Sequence, residues 1–151
     1  MKKIGIFSFT CCEGCVVVFV EALNKKYDEW KDKLQFENIR ILKRVKPVSE
    51  MDIALVEGAI STPSEVNKLK KIREKAKVLI AFGSGAINGF PSNQRNKFNK
   101  KMKEKIQPIL EHYKQNPTIE PINKFVKVDD KIPGCPPDEE TLIKKIDSYL
   151  K

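Results

Sequence analysis

"KKIGIFSFTCCEGCVVVFVEALNKKYDEW", residues 2–30, decides the fold. Its first eight residues, "KKIGIFSF", form a short apolar run with the character of a strand. Two lysines precede that run, as in a signal peptide, but it breaks at "TCCEG" without a small-residue cleavage site, so a strand is the better reading. The loop "TCCEGC" then places three of the four cysteines within five positions. Val16 to Val20 has strand propensity. Leu23, Tyr27, Trp30 and Leu34 nevertheless fall at helical spacing, which predicts a helix over about 16–34 with an unusually apolar first turn.

The rest of the chain extends this strand, loop and helix into a repeating alternation. "ENIRILKRV" (37–45) alternates Ile39, Ile41 and Val45 with charges, as a half-buried strand does, and "DIALVEGAI" (52–60) reads as a more central strand. In "TPSEV", Thr62 as N-cap, Pro63 and Glu65 make a capping box for a helix running to about Ala76. "KVLIAFG" (77–83) is a fourth buried strand. After the loop "SGAINGFPSN" we expect a long polar helix over 92–114, kinked or broken at Pro108. "PTIEPINKFVKV" carries apolar positions around two prolines, and "PPDEETLIKKIDSYL" closes with a short amphipathic helix capped by Asp138. Such an alternation produces an α/β fold: a flavodoxin-like, doubly wound parallel sheet in a single domain over residues 1–151.

At 151 residues the chain can bury a core without disulfides or a structural metal. Its 40% apolar and 32% charged residues describe a globular protein. No window nears the roughly 20 apolar residues of a membrane span, so direct membrane insertion is not expected. The net charge of +9 comes from lysines mixed with acids, as in "NKLKKIREKAK" and "NKFNKKMKEKIQ". That pattern suits solvated helix faces or an acidic protein partner; it lacks the basic stripe and reading module of a nucleic-acid binder. We expect a cytoplasmic location, where Cys-Cys and Cys-x-x-Cys serve metal binding or redox chemistry rather than a disulfide framework.

In a doubly wound sheet, ligands bind beyond the carboxyl ends of the strands. The loops after the first, third and fourth strands, "TCCEGC", "VEGAIST" and "FGSGAINGF", should emerge there. The "PGCPP" turn could reach the same edge and bring Cys135 to Cys11, Cys12 and Cys15. Four converging thiolates suit a tetrahedral zinc or an iron-sulfur cluster, and the irregular spacing favours the cluster. Pro133, Pro136 and Pro137 stiffen the Cys135 turn, while Gly14 and Gly134 let backbone amides approach sulfur. Other readings stay open. Cys11 also fits a small buried residue, Cys12 and Cys15 a thioredoxin-like dithiol at a helix N-terminus, and Cys135 an inert turn thiol. Glu57 fits a structural carboxylate or a group shaping the site. Gly83, Gly85 and Gly89 lack the G-x-G-x-x-G order of a nucleotide site. His112, the only histidine, should be exposed on a polar helix, which removes His-dependent triads. The apolar turn Val16 to Val20 is either ordinary core or part of a partner-binding patch.

Taken in order, "CCEGC", "DIALVEGAI", "AFGSGAINGF" and "IPGCPPDEE" resemble the small, electron-transferring subunit of [NiFe] hydrogenases and its relative, the 20 kDa subunit of respiratory complex I. The resemblance covers most of the chain, and its Pro-Gly-Cys-Pro-Pro turn is highly specific. It implies one [4Fe-4S] cluster, held by loops 10–15, 83–91 and 133–137. It also implies a hydrogenase-like large subunit and other electron carriers as partners, in the cytoplasm or in a membrane-associated complex. Cys12, Cys15 and Cys135 match cluster ligands. The family's remaining cysteine falls on Gly85, and Cys11 stands where complex I relatives use a second adjacent cysteine as a ligand. Cys11 therefore either completes a four-cysteine set or leaves a three-cysteine cluster; a cluster-less scaffold of the same fold is the third outcome.

Overall fold

The computed structural model describes residues 1–151. Five strands, β1 (Lys2–Ser8), β2 (Leu34–Ile39), β3 (Met51–Glu57), β4 (Ala76–Phe82) and β5 (Asp130–Ile132), form one sheet in the order β2-β1-β3-β4-β5. Every pair is parallel, with Ile6 opposite Leu55, Leu55 opposite Ile80 and Phe82 opposite Ile132. The flavodoxin-like expectation holds.

Alternation along the central strands explains why both faces are covered. Ile4, Ile6, Ile53, Leu55, Ile80 and Phe82 point to one face, where they pack with Val16, Phe19 and Ala22 of α1 (Gly14–Lys25) and Leu142 and Ile146 of α6 (Glu139–Tyr149). Phe7, Ala54, Val56, Leu79 and Ala81 point to the other, against Leu69 and Ile72 of α3 (Pro63–Lys75) and Ala86 of α4 (Ser84–Asn88). Strands buried on both sides read as continuous apolar runs, as β3 and β4 do. The capping box of α3 forms as expected, and the Asp138 carboxylate accepts the Thr141 N–H at the start of α6. No helix is long and apolar enough to cross a membrane.

Three boundaries differ from the sequence reading. The helix expected over 16–34 is two: α1 stops at Lys25, and α2 (Tyr27–Trp30) adds one turn that buries Trp30, whose indole N–H donates to Asp147 of α6 at 2.8 Å. Leu34, which had matched the helical spacing, instead opens β2 opposite Lys2. The second strand is accordingly earlier than 37–45, and Ile41 and Val45 are exposed in the loop that follows it. The helix expected over 92–114 divides at extended Phe98 into a 3-10 turn (Ser92–Lys97) and α5 (Lys100–His112), with Asn99 accepting the Met102 N–H. Helix α5 continues through Pro108. Glu104 and Pro108 are both exposed, so solvent can satisfy the Glu104 carbonyl that loses its donor.

Candidate functional site

The loops after β1, β3, β4 and β5 enclose a cavity of about 70 Å³ at the carboxyl edge of the sheet. Cys11, Cys12, Cys15 and Cys135 all line it, together with Glu57, Gly58, Gly85 and the segment Phe90 to Ser92. All four cysteines are free; Cys11, Cys12 and Cys135 are exposed and Cys15 is half-buried. The fold therefore brings the distant Cys135 to the amino-terminal trio's cavity. The walls do not, however, collect three or more Cys, His, Asp or Glu side chains into one group spaced to grip a metal ion.

Backbone pairing fixes these loops to one another. Thr10 and Ala59 exchange N–H to carbonyl bonds of 3.0 Å in each direction, which ties the cysteine loop to the end of β3. The Thr10 hydroxyl lies 2.6 Å from that of Ser61, and both contact the Glu65 carboxylate, which also accepts the Ser61 N–H at 2.7 Å. On the other side, the Gly83 N–H donates to Ile132 and the Ser84 N–H to Gly134, each at 2.8 Å, so β5 delivers the Cys135 turn to the β4 loop. Gly14 spaces the two cysteine turns: a β-carbon there would lie 3.3 Å from the Cys12 sulfur and 4.0 Å from the Pro136 Cβ.

Two glycines are required by the backbone itself. Gly83 (φ 85°) lies so close to Cys15 that a β-carbon would overlap its sulfur. Gly58 (φ 86°) is wedged between the Thr10 carbonyl and Cys11, whose Cβ would sit 3.0 Å from an added β-carbon. L side chains rarely adopt either conformation. A β-carbon on Gly85 would lie 3.1 Å from the Gly58 Cα.

Glu57 is fully buried at the end of β3. Its carboxylate accepts the Ser8 hydroxyl at 2.6 Å and the Val16 N–H at 3.3 Å, so it links β1, β3 and the first turn of α1. Burial, and then the neighbouring Glu57, push the Cys15 thiol well up; burial, Glu57 and Cys12 push Cys11 up to about 12, against a smaller pull from Arg40. His112 is exposed on α5, far in the chain from these loops.

The sequence reading had singled out the cysteines, Glu57 and Gly85, but not Ser8, Thr10, Ser61 or Phe90. Thr10 and Ser61 are small hydroxyl residues in loops already assigned to this edge, and that was the available signal. Ser8 gave none, since its role depends on the register that sets it beside Glu57.

The family described as "NADH ubiquinone oxidoreductase, 20 Kd subunit" matches residues 12–149. The chain belongs to this family. Similar proteins include the sulfhydrogenase 2 subunit delta of Pyrococcus furiosus, 30% identical over 99% of this chain and 62% of the relative. The gamma subunit of the coenzyme F420 hydrogenase of Methanosarcina barkeri is 32% identical over 93% of this chain and 51% of the relative. The chain thus spans only about half to three-fifths of the length of these two relatives. Among solved structures, a subunit chain of the NAD+-reducing [NiFe]-hydrogenase in its H2-reduced state superposes with a TM-score of 0.85 at 27% identity. It covers 99% of this chain and 90% of that one. The fold found here is thus matched across nearly the whole chain.

Proposed function

We propose that the chain is an electron-transfer subunit of a hydrogenase-like or complex-I-like oxidoreductase, carrying one [4Fe-4S] cluster on Cys12, Cys15, Cys135 and Cys11. The observation that carries this reading is that four free thiols, drawn from loops more than a hundred residues apart, line one cavity at the carboxyl edge of the sheet. The chemistry of the donors, rather than the present spacing of their side chains, suits such a cluster: the residues are soft thiols, none is in a disulfide, and the only imidazole is elsewhere.

A bound [4Fe-4S] cluster supplies one-electron transfer at a potential tuned by hydrogen bonds, charge and exposure. The chain's own residues arrange the rest. Gly83 leaves room for the Cys15 sulfur, Gly58 leaves room for Cys11, and the Cys135 turn is held by its bonds to the β4 loop. Exposed Cys11, Cys12 and Cys135 put the open side of the cavity toward solvent, where a large subunit and other carriers would dock. Reduced thiols suit a cytoplasmic setting, in solution or in a membrane-associated complex.

Anaerobic purification and reconstitution, followed by iron and sulfide analysis with absorption and electron paramagnetic resonance spectra, tests the reading. We expect about four irons and four sulfides per chain and a broad absorption near the visible edge. Colourless protein with four titratable thiols after reconstitution overturns it in favour of a cluster-less scaffold. A Cys12–Cys15 disulfide that cycles with a dithiol reductant, without iron, overturns it in favour of a thiol-disulfide oxidoreductase.

A further inference from the structure

Five of the ten exposed large hydrophobic side chains, Val17, Ile41, Leu42, Val45 and Phe90, belong to the segments that follow β1, β2 and β4 at the cysteine edge. Three of them sit in the loop after β2, where residues 40–47 are all exposed. This loop carries Arg40, Lys43, Arg44 and Lys46, and no acid occurs between Asn38 and Ser49. It is built rather than slack. Buried Asn38 donates its side-chain N–H to the Lys46 carbonyl at 3.3 Å, the Lys43 ammonium donates to the Phe36 carbonyl at 2.7 Å, and the Leu42 and Lys43 N–H groups donate to the Ile39 carbonyl.

The loop is joined to the cysteine cavity. Strand β2 lies beside and parallel to β1, so both strands release their loops at the same edge. Arg40 forms an ion pair with Glu13, the residue that follows Cys12. Exposed apolar side chains interleaved with charges of a single sign suit a protein docking site, in which the charge steers encounter and the apolar groups hold it. The other lysine-rich element, α5, differs in kind: its Lys100, Lys101, Lys103 and Lys105 are mixed with Glu104 and Glu111.

We propose that the loop 40–46 is the docking footprint of an acidic electron-carrier protein, which seats apolar side chains on Ile41, Leu42 and Val45 and acidic ones on the interleaved Lys43, Arg44 and Lys46. This inference rests on the electron-transfer reading above and names the chemistry of one partner. A protein occupant fits better than a lipid surface because the apolar group is a compact trio adjoining the cavity from which electrons would leave. Small, charge-steered contacts of this type are usual between electron-transfer partners.

The test uses an acidic plant-type [2Fe-2S] ferredoxin as the probe and basic cytochrome c as its opposite, titrated calorimetrically against both the metal-free and the reconstituted chain. We expect ferredoxin to bind, cytochrome c not to bind, and Kd to rise several-fold between about 0.05 and 0.3 M salt. Reversing Arg44→Glu with Lys46→Glu should weaken binding at least about tenfold. Ile41→Ser with Leu42→Ser should weaken it while leaving the salt dependence unchanged. Lys100→Glu with Lys101→Glu on α5, the same change in net charge, should leave Kd as it was. The proposal is overturned by absence of ferredoxin binding, by equal binding of cytochrome c, or by an equal loss from the α5 reversal. It is also overturned if the loop variants release the chain from phosphatidylserine vesicles but not from ferredoxin. Binding to the metal-free chain needs no iron, so docking without cluster assembly, or assembly without docking, shows which of the two readings has failed.

Discussion

Gly85 stands against Gly58: a β-carbon at position 85 would lie 3.1 Å from the Gly58 Cα, and one at position 58 would lie 3.0 Å from the Cys11 Cβ. Position 85, where the resemblance implies a family cysteine, and Cys11 therefore both adjoin Gly58. If Cys11 has taken over as ligand, Gly85→Cys should leave iron per chain unchanged. The crowding it introduces should cost about 1 kcal/mol, or roughly 2–4 °C in Tm. A marked rise in iron content would instead mark Cys11 as a bystander.

Replacing either Cys11 or Cys135 with serine tests the site from both of its walls. Neither residue is in the apolar core, so circular dichroism should keep its native shape. Cluster retention during competition with a chelator should fall for each by at least the ~10–100-fold seen when mere supporting groups of a metal site are removed. A Cys135→Ser variant that holds iron as firmly as the parent would remove the carboxy-terminal turn from the ligand set.

Gly83→Ala addresses the rear of the cavity. Its β-carbon would collide with the Cys15 sulfur, and the positive φ is strained for alanine. We expect a loss on the order of 1–3 kcal/mol in denaturant unfolding. Iron uptake should fall as well, since Cys15 must swing away to make room.

A pH effect should come from the opposite end of α6. The Asp130 carboxylate accepts the Lys145 ammonium and the Tyr149 hydroxyl, each at 2.9 Å, and the Lys131 N–H at 2.8 Å. Burial raises its pKa, but these donors outweigh burial and hold it below the ordinary 3.8, while Tyr149, half-buried beside this anion, is pushed up to about 12. A depressed carboxyl stabilises the fold above its unfolded pKa and loses that contribution as pH falls through the folded one. Urea unfolding of Asp130→Asn and the parent should thus differ by on the order of 1 kcal/mol near pH 7 and converge below about pH 3.8.

Much of the sheet was legible because its strands are buried on both sides. Runs such as "DIALVEG" and "KVLIAFG" leave little choice of period, and "TPSEV" names its own cap. The errors cluster where one residue serves two patterns. Leu34 satisfies the helical spacing from Leu23, yet its partner is Lys2 in the sheet, and no local signal distinguishes these. Ile41 and Val45 alternate like strand residues although their backbone curls back through Asn38 to Lys46. For the site, residue types and loop order were enough to assemble the cysteines at one edge. The Glu57 carboxylate's bonds to Ser8 and Val16, and the contact between Gly58 and Gly85, depend on three-dimensional register that spacing does not encode.

Cys135 reaches the cavity only by way of β5, which pairs with β4 at the outer edge of the sheet and is the last strand to be translated. While the ribosome is still adding residues before 130, the pocket lacks a wall and one of its four sulfurs. On the four-thiol reading proposed above, insertion of a cluster would follow synthesis of β5, the strand that carries the last of the four sulfurs to this edge.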